Sequence, residues 1–386
     1  MAEDSFTETV TTGWLSRIGS SIKGILVGII LIVIAFPVLF INEGRAVKTR
    51  KDLNQGAKEC VSADAATVDS SHDGKLIHLI GTTQAEGTLT DSQFGITAKD
   101  ALKLKRHVQM YQWKENTSTE TKKKLGGKEE KTTRYTYEKV WAEGRIDSGK
   151  FKKSSDHSNP STTLSSQTWT ADPITAGAYT LSAGLVAKIN NFSPHTVPSS
   201  PGDMADIDGR KVQLSNGQYY IGPNPASPAV GDLKVSFLTA MPTEVSIIAQ
   251  QAGNSFSRFK GDSGTTINML KIGTHTAGSM FDSAQESNQT LTWILRVVGF
   301  VVMFIGFNLI FRPLSVVADV LPLAGDIVGV GTGIVAFLLA APLSLITISV
   351  AWIFYRPLIG VPLLLLAGVG LFFLFKKIAA TRNAHE

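Results

Sequence analysis

The sequence predicts an α+β membrane protein with four transmembrane helices, one N-terminal and three C-terminal, and a large β-rich extramembrane insert between the first and second. Three observations lead there. Residues 291–375 are apolar almost throughout, and one further apolar run lies near the N-terminus. At 1.5 Å per residue, roughly 18–21 residues cross the ~30 Å hydrocarbon core of a bilayer. Between these regions no run is long enough to span; short β-branched and aromatic stretches alternate with Gly, Asp, Asn and Ser breaks, a strand-and-turn pattern.

Residues 1–21 form a polar tail, with Trp14, Leu15 and Ile18 at helix-like spacing. Residues 22–41 are the first membrane helix, with Lys23 at its start and Pro37 bending its last turn. The run is long for a signal peptide and no small-x-small cleavage site follows, so it reads as an uncleaved anchor. Directly after it comes Asn42-Glu43-Gly44-Arg45-Ala46-Val47, whose Glu43 and Arg45 suit a polar collar at the lipid–water interface.

The insert divides at the Pro-rich stretch 191–228 into a first β-rich unit, 42–195, and a second, 196–290. Residues 102–113 are its clearest strand: Leu102, Leu104, Val108 and Met110 share one parity, and Lys103, Lys105, Tyr111 and Trp113 the other. Residues 132–141 supply a hairpin partner, and 115–131 between them read as a long, mobile, basic tip. Residues 99–153 carry 16 Lys or Arg against 8 Asp or Glu, an excess above the +5 of the whole chain. Beside a membrane such a segment meets acidic head groups, which makes Lys122, Lys123 and Lys124 the lipid-contact candidates. The aromatics of this region read as sheet core or cross-strand pairs rather than a nucleic-acid platform.

The second membrane helix, 291–311, carries Trp293 at the interface, Arg296 one turn inside and snorkelling to the head groups, and Asn308 bonding a neighbouring helix. Arg312-Pro313-Leu314 ends it. Residues 312–333, with Asp319 and Asp326, are too short and charged to span and read as an interfacial amphipathic or re-entrant segment. The third helix is 334–354, followed by Arg356; the fourth is 358–375; a polar tail, 376–386, closes the chain. Four spans place both termini on one face of the bilayer, opposite the insert.

Catalytic signatures are missing. The seven His are scattered, and no H-E-x-x-H, C-x-x-C, G-x-S-x-G or Walker pattern occurs. The single cysteine, Cys60, excludes an intrachain disulfide. His157 beside Asp156 is followed by Asn159-Pro160 and reads as a turn. The expectation is a non-enzyme with no cofactor and no metal.

Several strings resemble the LUMA family of membrane proteins: Asn42 to Val47 after the first helix; Val108-Gln109-Met110-Tyr111-Gln112-Trp113; Tyr135-x-Tyr137-x-x-x-Trp141; His157-x-Asn159-Pro160; and Gly222-x-Asn224-Pro225 leading into Val230-Gly231-Asp232-Leu233-x-Val235-Ser236-Phe237. Thr292-Trp293, Gly306-x-Asn308-Leu309 and Trp352-x-Phe354-Tyr355-Arg356-Pro357-Leu358 continue the order. The resemblance implies a non-enzymatic scaffold that self-associates and organises other membrane proteins, emerin and lamin-associated ones among the family's partners. Its partners are then the lipid bilayer, itself as a homo-oligomer and other membrane proteins, with no nucleic acid. It implies a luminal insert in the endoplasmic reticulum or inner nuclear membrane of a eukaryote, or a periplasmic insert on the inner membrane of a bacterial member. The alternative is a channel or transport component formed by the helix bundle, with Arg296, Asn308, Asp319 and Asp326 as its polar groups.

Overall fold

The computed structural model describes residues 4–199, 206–207 and 209–357. The expected fourth helix, 358–375, and the tail 376–386 lie outside the described residues. Among the described residues three helices are long and apolar enough to cross a membrane: α1 (Trp14–Glu59), then, beyond the four-residue α2 (Ala183–Val186) inside the insert, α3 (Ala277–Ala318) and α4 (Pro322–Tyr355). α1 and α3 run antiparallel. A Cβ at Gly28 would lie 2.5 Å from the Gly306 carbonyl oxygen, so the two backbones cross there in direct contact. Ala35, Leu39, Met303 and Ala340 form the buried seam, while Leu26, Ile30, Val33, Val297, Val301, Leu338 and Leu345 face outward. An apolar exterior around a small-residue seam suits lipid rather than water.

The helices overrun the boundaries expected from the sequence. α1 continues as helix through 42–59, which the sequence reading gave to the insert. α3 starts at Ala277 and passes through Pro313 instead of ending at Arg312. A proline there removes one backbone bond, but the following turn is held from outside, because Trp14 Nε1 donates to the Val316 carbonyl at 2.8 Å. Residues 312–333 are therefore no separate interfacial piece. They are the last turns of α3, a tight turn, and the first turns of α4, whose glycines sit within a helix.

The insert does not divide near residue 195. Strand Lys103–Lys123 pairs with Leu233–Ala240, and Leu76–Ala85 with Glu244–Ala252, so chain from both sides of the Pro-rich stretch shares both large sheets. The prolines mark surface connections. What decides the topology is long-range pairing that buries alternate residues: Leu104, Val108 and Met110 pack with Val235 and Phe237 in one core, and Ile77, Leu79 and Ile247 with Tyr179 in the other. A third cluster, Leu53, Leu76, Ile248, Ile267, Met280 and Phe281, ties the ends of α1 and α3 to the seven-stranded sheet.

One hairpin dominates the nine-stranded sheet. Lys103–Lys123 and Glu129–Glu143 stay in register from Gln109↔Glu143 to Lys123↔Glu129. The mobile tip expected over 115–131 is paired strand except at its turn, which closes through Lys124 N to Lys128 O at 2.8 Å. Thr is a strong strand former, and opposite charges meet across this ladder, as at Lys114 and Glu138. Tyr111 stands opposite Trp141 with ring centroids 5.2 Å apart, a cross-strand pair. The polar tail adds a third strand: Ser5–Thr12 runs antiparallel along residues 129–136. Tail and insert thus share one sheet, an arrangement that hydropathy alone did not indicate.

Candidate functional site: two ion-pair clusters at the ends of the helical block

The first cluster is the collar, where the apolar part of α1 gives way to Asn42. Glu43 is fully buried. It accepts from Arg296 Nε at 2.6 Å, Arg296 Nη2 at 2.9 Å and Trp352 Nε1 at 2.7 Å, so one carboxylate joins α1, α3 and α4. The bidentate fork is the strong form of an ion pair, and two rings lie against the guanidinium, Trp293 at 4.6 Å and Trp352 at 5.6 Å. Arg296 is thus turned into the block and does not snorkel to the head groups. One turn on, Arg45 donates to Asn288 Oδ1 at 2.9 Å and to Thr292 Oγ1 at 3.0 Å, while Asn42 and Asn288 bond backbone carbonyls of the opposite helix. Gly44 is required by packing, since a Cβ there would enter the Tyr355 ring.

The second cluster, the clasp, lies at the other end of the block. Arg17 is buried near the start of α1. Its guanidinium reaches Asp319 Oδ2 at 2.5 Å, Glu129 at 3.1 Å and the Gly127 carbonyl at 2.7 Å. Lys123 lies 2.7 Å from Asp319 and 2.9 Å from Asp326. Partial burial works to lower the Lys123 ammonium, but hydrogen bonds to the two aspartates outweigh it and hold its pKa above the ordinary lysine value. Gly126 N donates to the Val320 carbonyl at 3.1 Å. Gly127 has φ +71°, and a Cβ there would collide with the Trp14 ring.

Arg17 and Leu53 are 36 positions apart on α1, about 54 Å of helix. At the insert-side end the hairpin base is close to α1: Lys103 donates to the Ile189 carbonyl at 2.8 Å, and the adjoining Lys188 shares a cavity wall with Thr49 and Leu53. The 21-residue strand Lys103–Lys123 can extend about 70 Å. The hairpin therefore runs from one end of the helical block to the other.

The remaining sequence candidates divide between these places. Glu43, Arg45 and Arg296 meet in the collar; Asp319 and Asp326 meet in the clasp. Arg356 stacks over Trp352 at 5.4 Å on the collar's edge. Arg312 is exposed. Asn308 donates to Phe304 O of its own helix at 3.0 Å, not to a neighbouring helix. Of the lysine triplet, Lys122 lies by Glu120 at 3.1 Å and Lys124 by Glu130 at 3.5 Å, both exposed, and Lys123 is committed to the clasp. Sequence reasoning missed Trp14, Arg17, Gly127, Glu129, Asn288, Thr292 and Trp352 as partners. One signal for the clasp was present: Arg17 is the only Lys or Arg in the first 21 residues, and Asp319 and Asp326 are isolated acids within the apolar block.

The insert holds a buried ion pair of its own, Arg106–Asp91 at 2.9 Å, with Arg106 also donating to Gln93 Oε1 and the Ser165 carbonyl. His157 stacks on Tyr137 at 3.7 Å and bonds Asp4 at 2.7 Å and the Lys153 carbonyl at 2.9 Å, fastening the tail to the hairpin. Burial, with the hydrogen bond to Glu115, pushes the Tyr137 phenol up to about 12. Asn159 bonds both the N–H and the C=O of Trp113, doing the work of a neighbouring strand. Burial also pushes the Cys60 thiol up to about 11, so it carries little thiolate at neutral pH. Among the described residues no three His, Cys, Asp or Glu are grouped to hold a metal ion.

These features define an integral membrane protein with three candidate spans and a β-rich domain bonded to both ends of its helical block. The chain belongs to the transmembrane protein 43 family. The family model described as Transmembrane protein 43 matches residues 110–357. Transmembrane protein 43 of Homo sapiens is 35% identical over 371 residues, covering 93% of this chain and 90% of the human one. The Rattus norvegicus protein of that name is 35% identical over 358 residues, 90% of this chain and 88% of its own. The Drosophila melanogaster homolog is 31% identical over 350 residues, 88% and 91% of the two chains. No solved structure matches the chain.

Proposed function

We propose that the protein is a non-enzymatic membrane scaffold whose unit is a self-associated assembly. The observation that carries this is the sheet alongside the helices. A segment reaching from one end of the block to the other passes the depth of the apolar run in α1, yet its residues there are Thr, Ser, Glu, Lys and Asn. The tail strand Ser5–Thr12 is the outermost strand of that sheet among the described residues, so its outer backbone groups are open. An open polar edge at bilayer depth is costly against hydrocarbon and is stable only when covered by protein or water. A second copy, presenting the same surface, covers it. The apolar outer faces of the three helices stay in lipid, and the two large sheets offer a platform for other membrane proteins.

The helix bundle supports a conducting path less well. Its collar charges are consumed by bonds between helices, with Glu43 saturated by Arg296 and Trp352. The test is a mass measurement of the full chain purified in mild detergent, with conductance recorded after reconstitution. The reading calls for oligomers and a silent bilayer. A strict monomer that retains no membrane protein overturns it, and conduction abolished by Asp326→Ala replaces it with a channel.

A further inference from the structure

Beside the collar, between α1 and α3, is a cavity of about 420 Å³. Three guanidiniums line it, those of Arg50, Arg296 and Arg356, together with Asn54, Gln289 and Trp293. Among the described residues no carboxylate lines it. The acid nearest in the collar, Glu43, is buried and bonded by Arg296, so that pair is neutral as a unit. Arg50 is exposed, and neither it nor Arg356 is paired with a carboxylate among the described residues. Arg356 is instead steadied by Trp352 beneath it. Two arginines without a carboxylate partner among the described residues thus line one cavity together with the amide side chains of Asn54, Gln285, Asn288 and Gln289.

The position of the cavity says what reaches it. The apolar run of α1 ends at Ile41, and Arg50 follows nine residues later, about 13 Å further along the helix. Each head-group layer adds roughly 5–7 Å to the hydrocarbon core, so the Arg50 backbone stands outside that layer and its long side chain, leaning toward the helix N-terminus, reaches back to it. Trp293 and Trp352 mark the same boundary, where aromatic side chains concentrate. The cavity mouth is therefore at head-group level, open to groups attached to acyl chains, and lined by the side chain best suited to grip phosphate oxygens in pairs.

We infer that this cavity is a binding site for the phosphate head group of an anionic phospholipid, gripped between Arg50 and Arg356, with Gln289 and Asn54 as further donors. The site is distinct from the lysines of the hairpin, which are answered by Glu120, Glu130 and the clasp aspartates. It does not depend on self-association, because every residue belongs to one chain.

The test is native mass spectrometry of the full-length chain in detergent, titrated with dioleoyl phosphatidic acid and, separately, dioleoyl phosphatidylcholine. Both arginines are at the surface of the cavity, so R50Q/R356Q removes charge without opening the core. Wild type should retain phosphatidic acid at least tenfold better than phosphatidylcholine, and R50Q/R356Q should lose that preference. K122Q/K124Q, which lowers the charge of the hairpin equally, should keep it. Unchanged retention by R50Q/R356Q, or equal loss in K122Q/K124Q, overturns the site. A third arm adds inorganic phosphate. Failure to displace the lipid at matched concentration supports a lipid ligand, and ready displacement overturns it in favour of a soluble phosphate.

Discussion

The collar and the clasp are built from the same parts and do different work. Each buries a carboxylate under an arginine, at Glu43–Arg296 and Asp319–Arg17, and each caps one end of the helical block. The collar draws its partners from three helices already packed by their apolar faces, and it sits among Trp293, Trp352 and Tyr355. The clasp draws on the tip of a hairpin with no core of its own there, and its outer members, Lys123, Glu129 and Asp326, are partly solvated. Breaking the first leaves a charge inside a packed bundle. Breaking the second lets the tip leave and the charges rehydrate. A buried ion pair fixes helix register where its surroundings cannot move, and works as a latch where they can.

That contrast sets the order of effects. Glu43→Ala leaves Arg296 without its acid and Trp352 without an acceptor, a loss of about 3–5 kcal/mol for a broken buried pair. It should appear as a large drop in the melting temperature of the detergent-purified protein, and an unchanged melt would show that the collar is solvated. Asp319→Ala removes the partner of both Arg17 and Lys123, but its cost is capped by the free energy of docking the tip. Limited trypsin treatment should newly cut at Lys122–Lys128 while global melting moves less than for Glu43→Ala. Equal melting losses would erase the distinction between the two clusters. Gly127→Ala should do the same more weakly, about 1–2 kcal/mol for a side chain at positive φ plus the collision with Trp14, read by the same cleavage assay.

The sequence made the collar legible and left the clasp hidden, for a physical reason. Glu43 and Arg296 each lie one turn or less from the end of an apolar run, where depth alone brings them to one level. Hydropathy therefore placed both near the interface, although it put Arg296 in the head groups instead of on Glu43. Arg17 meets Asp319 through the packing of α1 on α3, whereas Gly127 and Glu129 reach Arg17 only because a polar hairpin stays in strand for 21 residues. The alternation of Leu104, Val108 and Met110 named the buried face correctly. It said nothing of Arg106 on the same face, buried because Asp91 lies 2.9 Å away. The Pro-rich stretch misled as a boundary because proline reports local backbone only, whereas the sheets are assembled from strands on both sides of it.

The smallest effect is a pH dependence at the insert-side end. Burial pushes the His78 imidazole below its ordinary value, against the hydrogen bond that its Nε2 makes to the His275 carbonyl at 2.9 Å. An unfolded chain then takes up that proton first as pH falls. The contribution is present above the ordinary histidine value of about 6.5 and is lost as pH drops through the depressed folded value. Melting followed from about pH 7 down to about pH 5 should show a decline that His78→Gln flattens. An equal decline in the variant would assign the effect elsewhere.

The claim on which the account turns is that one insert holds both ends of the helical block, and disulfide trapping in native membranes tests it most directly. With Cys60 replaced by Ser, the Gly126→Cys/Val320→Cys pair spans the clasp and the Ala46→Cys/Asn288→Cys pair spans the collar, each across a contact near 3 Å. Both pairs should close on mild oxidation. Closure at the collar with none at the clasp would contradict the account, returning the hairpin tip to solvent and the tail to the far side of the bilayer.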